Sequence, residues 1–122
     1  MEIVIIVCLA GSALIHALPL VGALGSAQVS KMYDVKVDGP DLTVLLVHRA
    51  VLFGLLAAAL VLAIFCEEAR PYVIGGVLVS DIAFLAIAAR NPGINASMRR
   101  VVRADLVSIG LLAIAGVAEL VG

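Results

Sequence analysis

Residues 42–66 read LTVLLVHRAVLFGLLAAALVLAIFC, an apolar stretch interrupted by the adjacent pair His48-Arg49. About 20 predominantly apolar residues are enough to cross the hydrocarbon core of a bilayer as an α-helix. Backbone polar groups in lipid must be satisfied within their own segment, so a spanning stretch of this kind is expected to be helical. Residues 42–66 therefore predict a membrane-spanning helix that carries two polar side chains.

Three other stretches have the same character. They cover residues 3–24, 72–89 and 101–121, and Asn95 predicts an N-cap that starts the last helix at residue 96. A short interfacial helix is predicted over residues 26–33, and Asn91-Pro92-Gly93 predicts a turn. The sequence predicts a single all-α domain over residues 1–122, an integral membrane antiparallel four-helix bundle with helices at about 3–24, 42–66, 72–89 and 96–121.

Composition favours the same class of protein. The chain has 122 residues, of which 64% are hydrophobic and 14% are charged, and its mean hydropathy is +1.23. Roughly a quarter of the residues of an ordinary soluble domain are charged. The formal net charge of −1 leaves no excess of basic residues for a phosphate backbone, so we expect the lipid bilayer and no nucleic acid as a partner.

The basic residues of the loops predict an orientation, because cytoplasmic loops carry an excess of Lys and Arg. The first and third loops lie on one side of a four-helix chain and carry most of these residues, whereas the second loop has only Arg70 beside two glutamates. We therefore expect a bacterial cytoplasmic membrane protein with residues 25–41 and 90–100 cytoplasmic and both termini outside. The basic residues concerned are Lys31, Lys36, Arg90, Arg99 and Arg100.

Five ionisable residues interrupt the apolar stretches: His16, His48, Arg49, Asp81 and Asp105. An ionised side chain in hydrocarbon costs several kcal/mol or more unless it is paired or wetted. With a rise of about 1.5 Å per helical residue, all five lie about 6 to 12 Å below the same, cytoplasmic face. We expect all five to face inward and to meet in one polar layer.

This polar layer has two open interpretations. In the first, Arg49 forms ion pairs with Asp81 and Asp105 that fix the arrangement of the helices while adding little net stability. In the second, the layer is a ligand or proton site in which Arg49 anchors an anionic head group. The two aspartates would then exchange protons, and His16 or His48 would titrate near neutral pH. The expected ligand is small or amphipathic, and its binding or transport would be the function.

Other functions remain as alternatives. No cofactor or metal is the main prediction, but His16 and His48 could ligate one haem b axially or hold a metal. A structural or accessory subunit of a membrane complex, or a homo-oligomer, is also compatible with so short a chain. The sequence has no Ser-His-Asp order, metal-ligand cluster or nucleotide loop, so no enzymatic activity and no catalytic residue are predicted. The aromatic residues are too few to predict an aromatic stack.

A resemblance to a known family rests on the segment Val47-His48-Arg49-Ala50-Val51-Leu52-Phe53-Gly54, after a Tyr33-Asp34-Val35 loop and before the helix of Asp105. These residues resemble a family of short bacterial four-helix integral membrane proteins of unknown function, and the similarity covers most of the chain. The resemblance implies a four-helix bundle with no established activity, and it implies His48, Arg49 and Asp105 as recurring polar residues. A weaker similarity is to DoxX-like small membrane proteins.

Overall fold

The protein is mostly helical, with non-helical loops at residues 34–38 and 90–95. This computed structural model describes residues 1–122 apart from the side chain of Ser26. The chain forms four long α-helices, one eight-residue α-helix in the first loop, and two 3₁₀ segments. In chain order they are α1 (Glu2–Ala17), a 3₁₀ segment (Leu18–Leu24), α2 (Ser26–Tyr33), α3 (Gly39–Phe65), a 3₁₀ segment (Glu67–Ala69), α4 (Arg70–Ala89) and α5 (Ala96–Val121).

Local sequence sets the ends of these helices. Pro40 and Pro71 lie in the first turns of α3 and α4, where a missing backbone N–H costs nothing. The Asn95 side chain accepts a 2.8 Å hydrogen bond from the Met98 backbone N–H, so the predicted N-cap of the last helix is confirmed. Asp34 ends α2 in the left-handed region, with φ of 51°.

Pro19 changes the end of the first long segment. Proline lacks the N–H that would continue an α-helical ladder, and here the chain turns into a 3₁₀ helix at Leu18. The predicted helix over residues 3–24 is therefore helical over its whole length but is α-helical only up to Ala17. The third predicted helix begins two residues earlier than expected, at Arg70.

The all-helical prediction is confirmed, and four segments are long and apolar enough to cross a membrane: Glu2–Leu24, Gly39–Phe65, Glu67–Ala89 and Ala96–Val121. Large apolar side chains point outward along all four, among them Ile3, Leu45, Val79 and Leu120. Monomeric soluble proteins rarely expose apolar surface so continuously. The outward pattern is the one expected for helices surrounded by lipid.

The inside of the molecule is small and closely packed. α1 packs against α3 and α5, and α4 packs against α5 and α3. Leu9, Leu60 and Leu112 are completely buried at the centre of the core, and Ala63 and Ala115 allow the helices to approach closely. This packing brings the polar residues of α1, α4 and α5 within contact distance of one another.

The 3₁₀ segment packs closely on α3 at Gly22. A Cβ atom at Gly22 would lie 3.1 Å from the Ala50 Cβ atom and 3.2 Å from a Val29 methyl group, whereas one at Gly75 would have no neighbour within 4 Å. We expect Gly22→Ala to lower the free energy of unfolding by about 1–3 kcal/mol through overpacking. Gly75→Ala, the matched control, should be neutral or stabilising by up to about 1 kcal/mol. The measurement is thermal unfolding in detergent micelles, followed by circular dichroism. Equal melting temperatures of the two variants would contradict the close packing at Gly22.

Candidate functional site

The centre of the polar residues is a contact between His16 on α1 and Asp81 on α4. The His16 Nε2 atom lies 2.8 Å from the Asp81 Oδ1 atom, and both side chains are essentially inaccessible. The His16 Nδ1 atom donates to the Ser12 backbone carbonyl at 2.8 Å, because that oxygen can only accept. His16 Nδ1 therefore carries a proton, and a single further proton is shared between Nε2 and the Asp81 carboxyl group.

Two serine hydroxyl groups extend this contact to α5. Ser108 Oγ donates to the second carboxylate oxygen of Asp81 at 2.7 Å. Ser108 Oγ also lies 2.8 Å from Ser12 Oγ, and since its own proton is used on Asp81, Ser12 is the donor in that contact. His16, Ser12, Asp81 and Ser108 form one buried network, called here the His16 network, that joins α1, α4 and α5.

Asp105 lies near the His16 network but outside its hydrogen bonds. Its side chain is 4% exposed, and none of the described residues donates a hydrogen bond to its carboxylate. It lines a cavity of about 200 Å³, called here the Asp105 cavity. The other residues of this cavity are Ile15, His16, Leu18, Pro19, Met32, Tyr33, Phe53, Ser97, Arg100, Val101 and Ala104.

Arg49 is surrounded by aromatic rings. The Arg49 Cζ atom lies 5.4 Å from the ring centroid of Tyr33, 4.7 Å from that of Phe53 and 5.5 Å from that of Phe84. Its Nη1 atom donates to the Tyr33 hydroxyl group at 3.1 Å. Cation–π contacts of this kind stabilise a guanidinium group in a medium of low polarity. Three of the five Phe and Tyr residues therefore lie around one guanidinium group, a grouping that the sequence did not predict.

No carboxylate of the described residues lies within 4.0 Å of the Arg49 guanidinium group. The predicted ion pair between Arg49 and Asp81 is therefore wrong, because His16 and Ser108 occupy both oxygens of that carboxylate. The pair with Asp105 does not form either. Arg49 instead lines a cavity of about 260 Å³ between α3 and α4, called here the Arg49 cavity. Its other residues are Leu52, Phe53, Leu56, Ser80, Ala83, Phe84 and Ile87.

His48 lies apart from the other four residues. Its side chain is exposed, although it belongs to the apolar part of α3. Ala50, which faces the core, lies about 200° farther around the helix axis, so the two side chains point in nearly opposite directions. The expectation that all five ionisable residues face inward is wrong for His48.

The positions of His16 and His48 also decide whether the two residues could ligate a haem or a metal together. Both ring nitrogens of His16 are in hydrogen bonds, and His48 is on the outer surface. The two imidazoles do not share a site, so these residues do not fit axial haem ligation. Within the described residues, no group of three or more His, Cys, Asp or Glu side chains is arranged to hold a metal ion.

A second polar cluster, at the other end of the helices, was missed from the sequence. Arg70 is 2% exposed and donates to both carboxylate oxygens of Glu2 at 3.0 and 2.6 Å. It also donates to the backbone carbonyls of Ala63 and Ile64, at the end of α3. Glu119 lies 3.7 Å from its Nη1 atom. The sequence signal was an acid at each end of the chain, Glu2 and Glu119, on the side of the second loop.

Comparison with known proteins adds no relative: no family model, no curated protein and no solved structure matches this chain. The resemblance to short bacterial four-helix membrane proteins stays a prediction.

A substitution at Ser108 tests whether the His16 network stabilises the fold. We expect Ser108→Ala to lower the free energy of unfolding by about 1–3 kcal/mol, because one Asp81 oxygen and the Ser12 hydroxyl group lose their partner in a buried place. Ser80→Ala is the matched control, since Ser80 precedes Asp81 on α4 but faces the Arg49 cavity. Unfolding of both variants in the same micelles gives the comparison, and equal stabilities would show that the network does not hold the helices together.

Proposed function

We propose that this protein is an integral membrane protein of the bacterial cytoplasmic membrane, an antiparallel four-helix bundle that binds an amphipathic anion at Arg49. Four segments of sufficient length and an apolar outer surface support the membrane location. The contact of Glu2, at the start of α1, with Arg70, at the start of α4, supports an antiparallel order of consecutive long helices. Binding is the step supported by Arg49; transport and proton movement stay predictions.

The observation that carries the proposal is a guanidinium group without a counter-ion. A guanidinium group has five N–H donors and is always charged. One Arg49 donor reaches a neutral phenol, that of Tyr33, and no described carboxylate lies within 4.0 Å. In a membrane-spanning helix such a charge is costly unless it is neutralised or wetted. A bound anion would supply the missing acceptors and the missing charge.

The surroundings of Arg49 indicate the chemistry of that anion. Guanidinium groups bind carboxylate and phosphate groups in a bidentate way. The walls of the Arg49 cavity are apolar, with Leu52, Leu56, Ala83 and Ile87 beside the charge and only Ser80 as a further polar residue. A head group bearing a carboxylate or phosphate and attached to an alkyl chain fits both features. Fatty acids and anionic phospholipids share this chemistry.

The binding test uses decanoate as the probe and calorimetry of the protein in neutral maltoside micelles as the measurement. We expect Arg49→Gln to bind decanoate at least about tenfold more weakly, which corresponds to about 1.4 kcal/mol of binding free energy. Arg49→Lys should keep part of the affinity, since it keeps the charge but loses the bidentate geometry. Arg103→Gln, a change of an exposed arginine on α5, is the matched control and should bind as the wild type does.

A second arm separates a free anion from a lipid head group. Nanodiscs containing phosphatidylglycerol should abolish decanoate binding, relative to phosphatidylcholine nanodiscs, if a lipid is the occupant. Unchanged decanoate affinity in both lipids would indicate a free amphipathic anion instead. Decanoate affinities that are equal for the wild type and Arg49→Gln would overturn the proposal.

The proposed orientation places residues 25–41 and 90–100 in the cytoplasm and both termini outside, supported by the basic residues of these two loops. In a chain carrying Cys8→Ser and Cys66→Ser, we expect Glu68→Cys to react with a membrane-impermeant maleimide from the periplasmic side of intact cells. Lys36→Cys should react only after the inner membrane is permeabilised. Both reporter side chains are exposed, so a reversed labelling pattern would mean a reversed orientation.

A further inference from the structure

Asp105 carries the opposite charge to Arg49 and faces a different cavity. We propose that the Asp105 cavity is a second binding site, which takes the ammonium group of a small amphipathic amine. This site goes beyond the anion site, because none of its polar groups is Arg49 and the ligand has the opposite sign. Phe53 contributes to both cavities and lies against the Arg49 guanidinium group and the His16 ring.

The carboxylate of Asp105 has no hydrogen-bond donor among the described residues. The residue is 96% buried (relative exposure 4%), and what remains accessible of its carboxylate faces the Asp105 cavity. The other buried acid of the core, Asp81, has both oxygens in hydrogen bonds. A carboxylate in an apolar place is costly unless it is paired and hydrogen-bonded. Asp105 opens onto the cavity, so a ligand in the cavity is placed to provide the donors.

None of the neighbouring charged and titratable groups of this cavity pairs with the Asp105 carboxylate. On α1, the His16 Nε2 atom is turned to Asp81. On α5, Arg100 is exposed at the cavity and its Nη2 atom donates to Ser97 Oγ at 3.1 Å. On α2, the Tyr33 hydroxyl group accepts from Arg49, a residue of α3 that is not part of this cavity. None of these groups lies in a described ion pair with Asp105.

The walls of the cavity define the rest of the ligand. Apart from the polar residues named above, the lining is apolar, and the rings of Tyr33 and Phe53 stand beside the carboxylate. An ammonium group offers three donors and one positive charge, and it is attracted to the faces of aromatic rings. A cavity of about 200 Å³ suits a short alkyl group attached to such a head group. A primary alkylammonium ion meets all of these requirements.

The test compares two probes of equal chain length, hexylammonium and hexanol. Calorimetry of the wild-type protein in neutral maltoside micelles should show hexylammonium bound at least tenfold more tightly than hexanol. Asp105→Asn keeps the shape of the side chain and removes its charge, so it should bind hexylammonium at least tenfold more weakly while it still binds decanoate. Asp41→Asn, a change of an exposed aspartate in the first turn of α3, is the matched control and should bind as the wild type does.

A second variant keeps the test decisive if Asp105→Asn does not fold. Ala104→Leu fills the cavity from its wall but keeps the carboxylate, and it should also weaken hexylammonium binding at least tenfold. Loss of hexylammonium binding in each of these two variants that folds, with normal binding by Asp41→Asn, supports the site. Equal affinities of the wild type for hexylammonium and hexanol, or unchanged binding in Asp105→Asn or Ala104→Leu, would overturn it.

Discussion

The contact between His16 and Asp81 organises the buried polar network that joins α1, α4 and α5. It uses one oxygen of Asp81 and both nitrogens of His16, and Ser108 takes the remaining oxygen. The acid in the middle of α4 is thereby neutralised within α1, α4 and α5. Arg49, on α3, does not pair with Asp81 and lies against three aromatic rings instead.

Two charges of the core remain unpaired. Arg49 and Asp105 have opposite charges and could have neutralised each other, but each faces its own cavity, and Phe53 contributes to both. Holding two unpaired charges apart in a helical core is unfavourable for stability. Other buried contacts stabilise the helices: the His16 network, and at the opposite end the hydrogen bonds of Arg70 to Glu2 and to the end of α3. These two unpaired charges beside cavities are the basis of the two binding sites proposed above.

The sequence was sufficient for the helices and insufficient for the pairing of side chains. Long apolar runs and Asn95 predict the number of the long helices and the start of the last one because these signals are local, whereas the change to a 3₁₀ helix at Leu18 was not predicted. The depth of a residue along a helix is also readable, and His16, Asp81 and Asp105 do come together. The rotation of a helix about its axis cannot be read in the same way. The outward placement of His48 depends on which face of α3 meets α1, and α3 has apolar residues on all of its faces. For the same reason the choice of His16 rather than Arg49 as the partner of Asp81 could not be predicted.

The most direct test of this account is a pair of double-mutant cycles that share Asp81→Asn, measured by unfolding in one detergent. The account predicts a coupling energy of at least about 1 kcal/mol between His16→Gln and Asp81→Asn, since residues in one hydrogen-bonded network couple. It predicts a coupling within about 0.5 kcal/mol between Arg49→Gln and Asp81→Asn, as for independent sites. Strong coupling in the Arg49 cycle with none in the His16 cycle would show that Arg49 pairs with Asp81, and it would contradict the central claim.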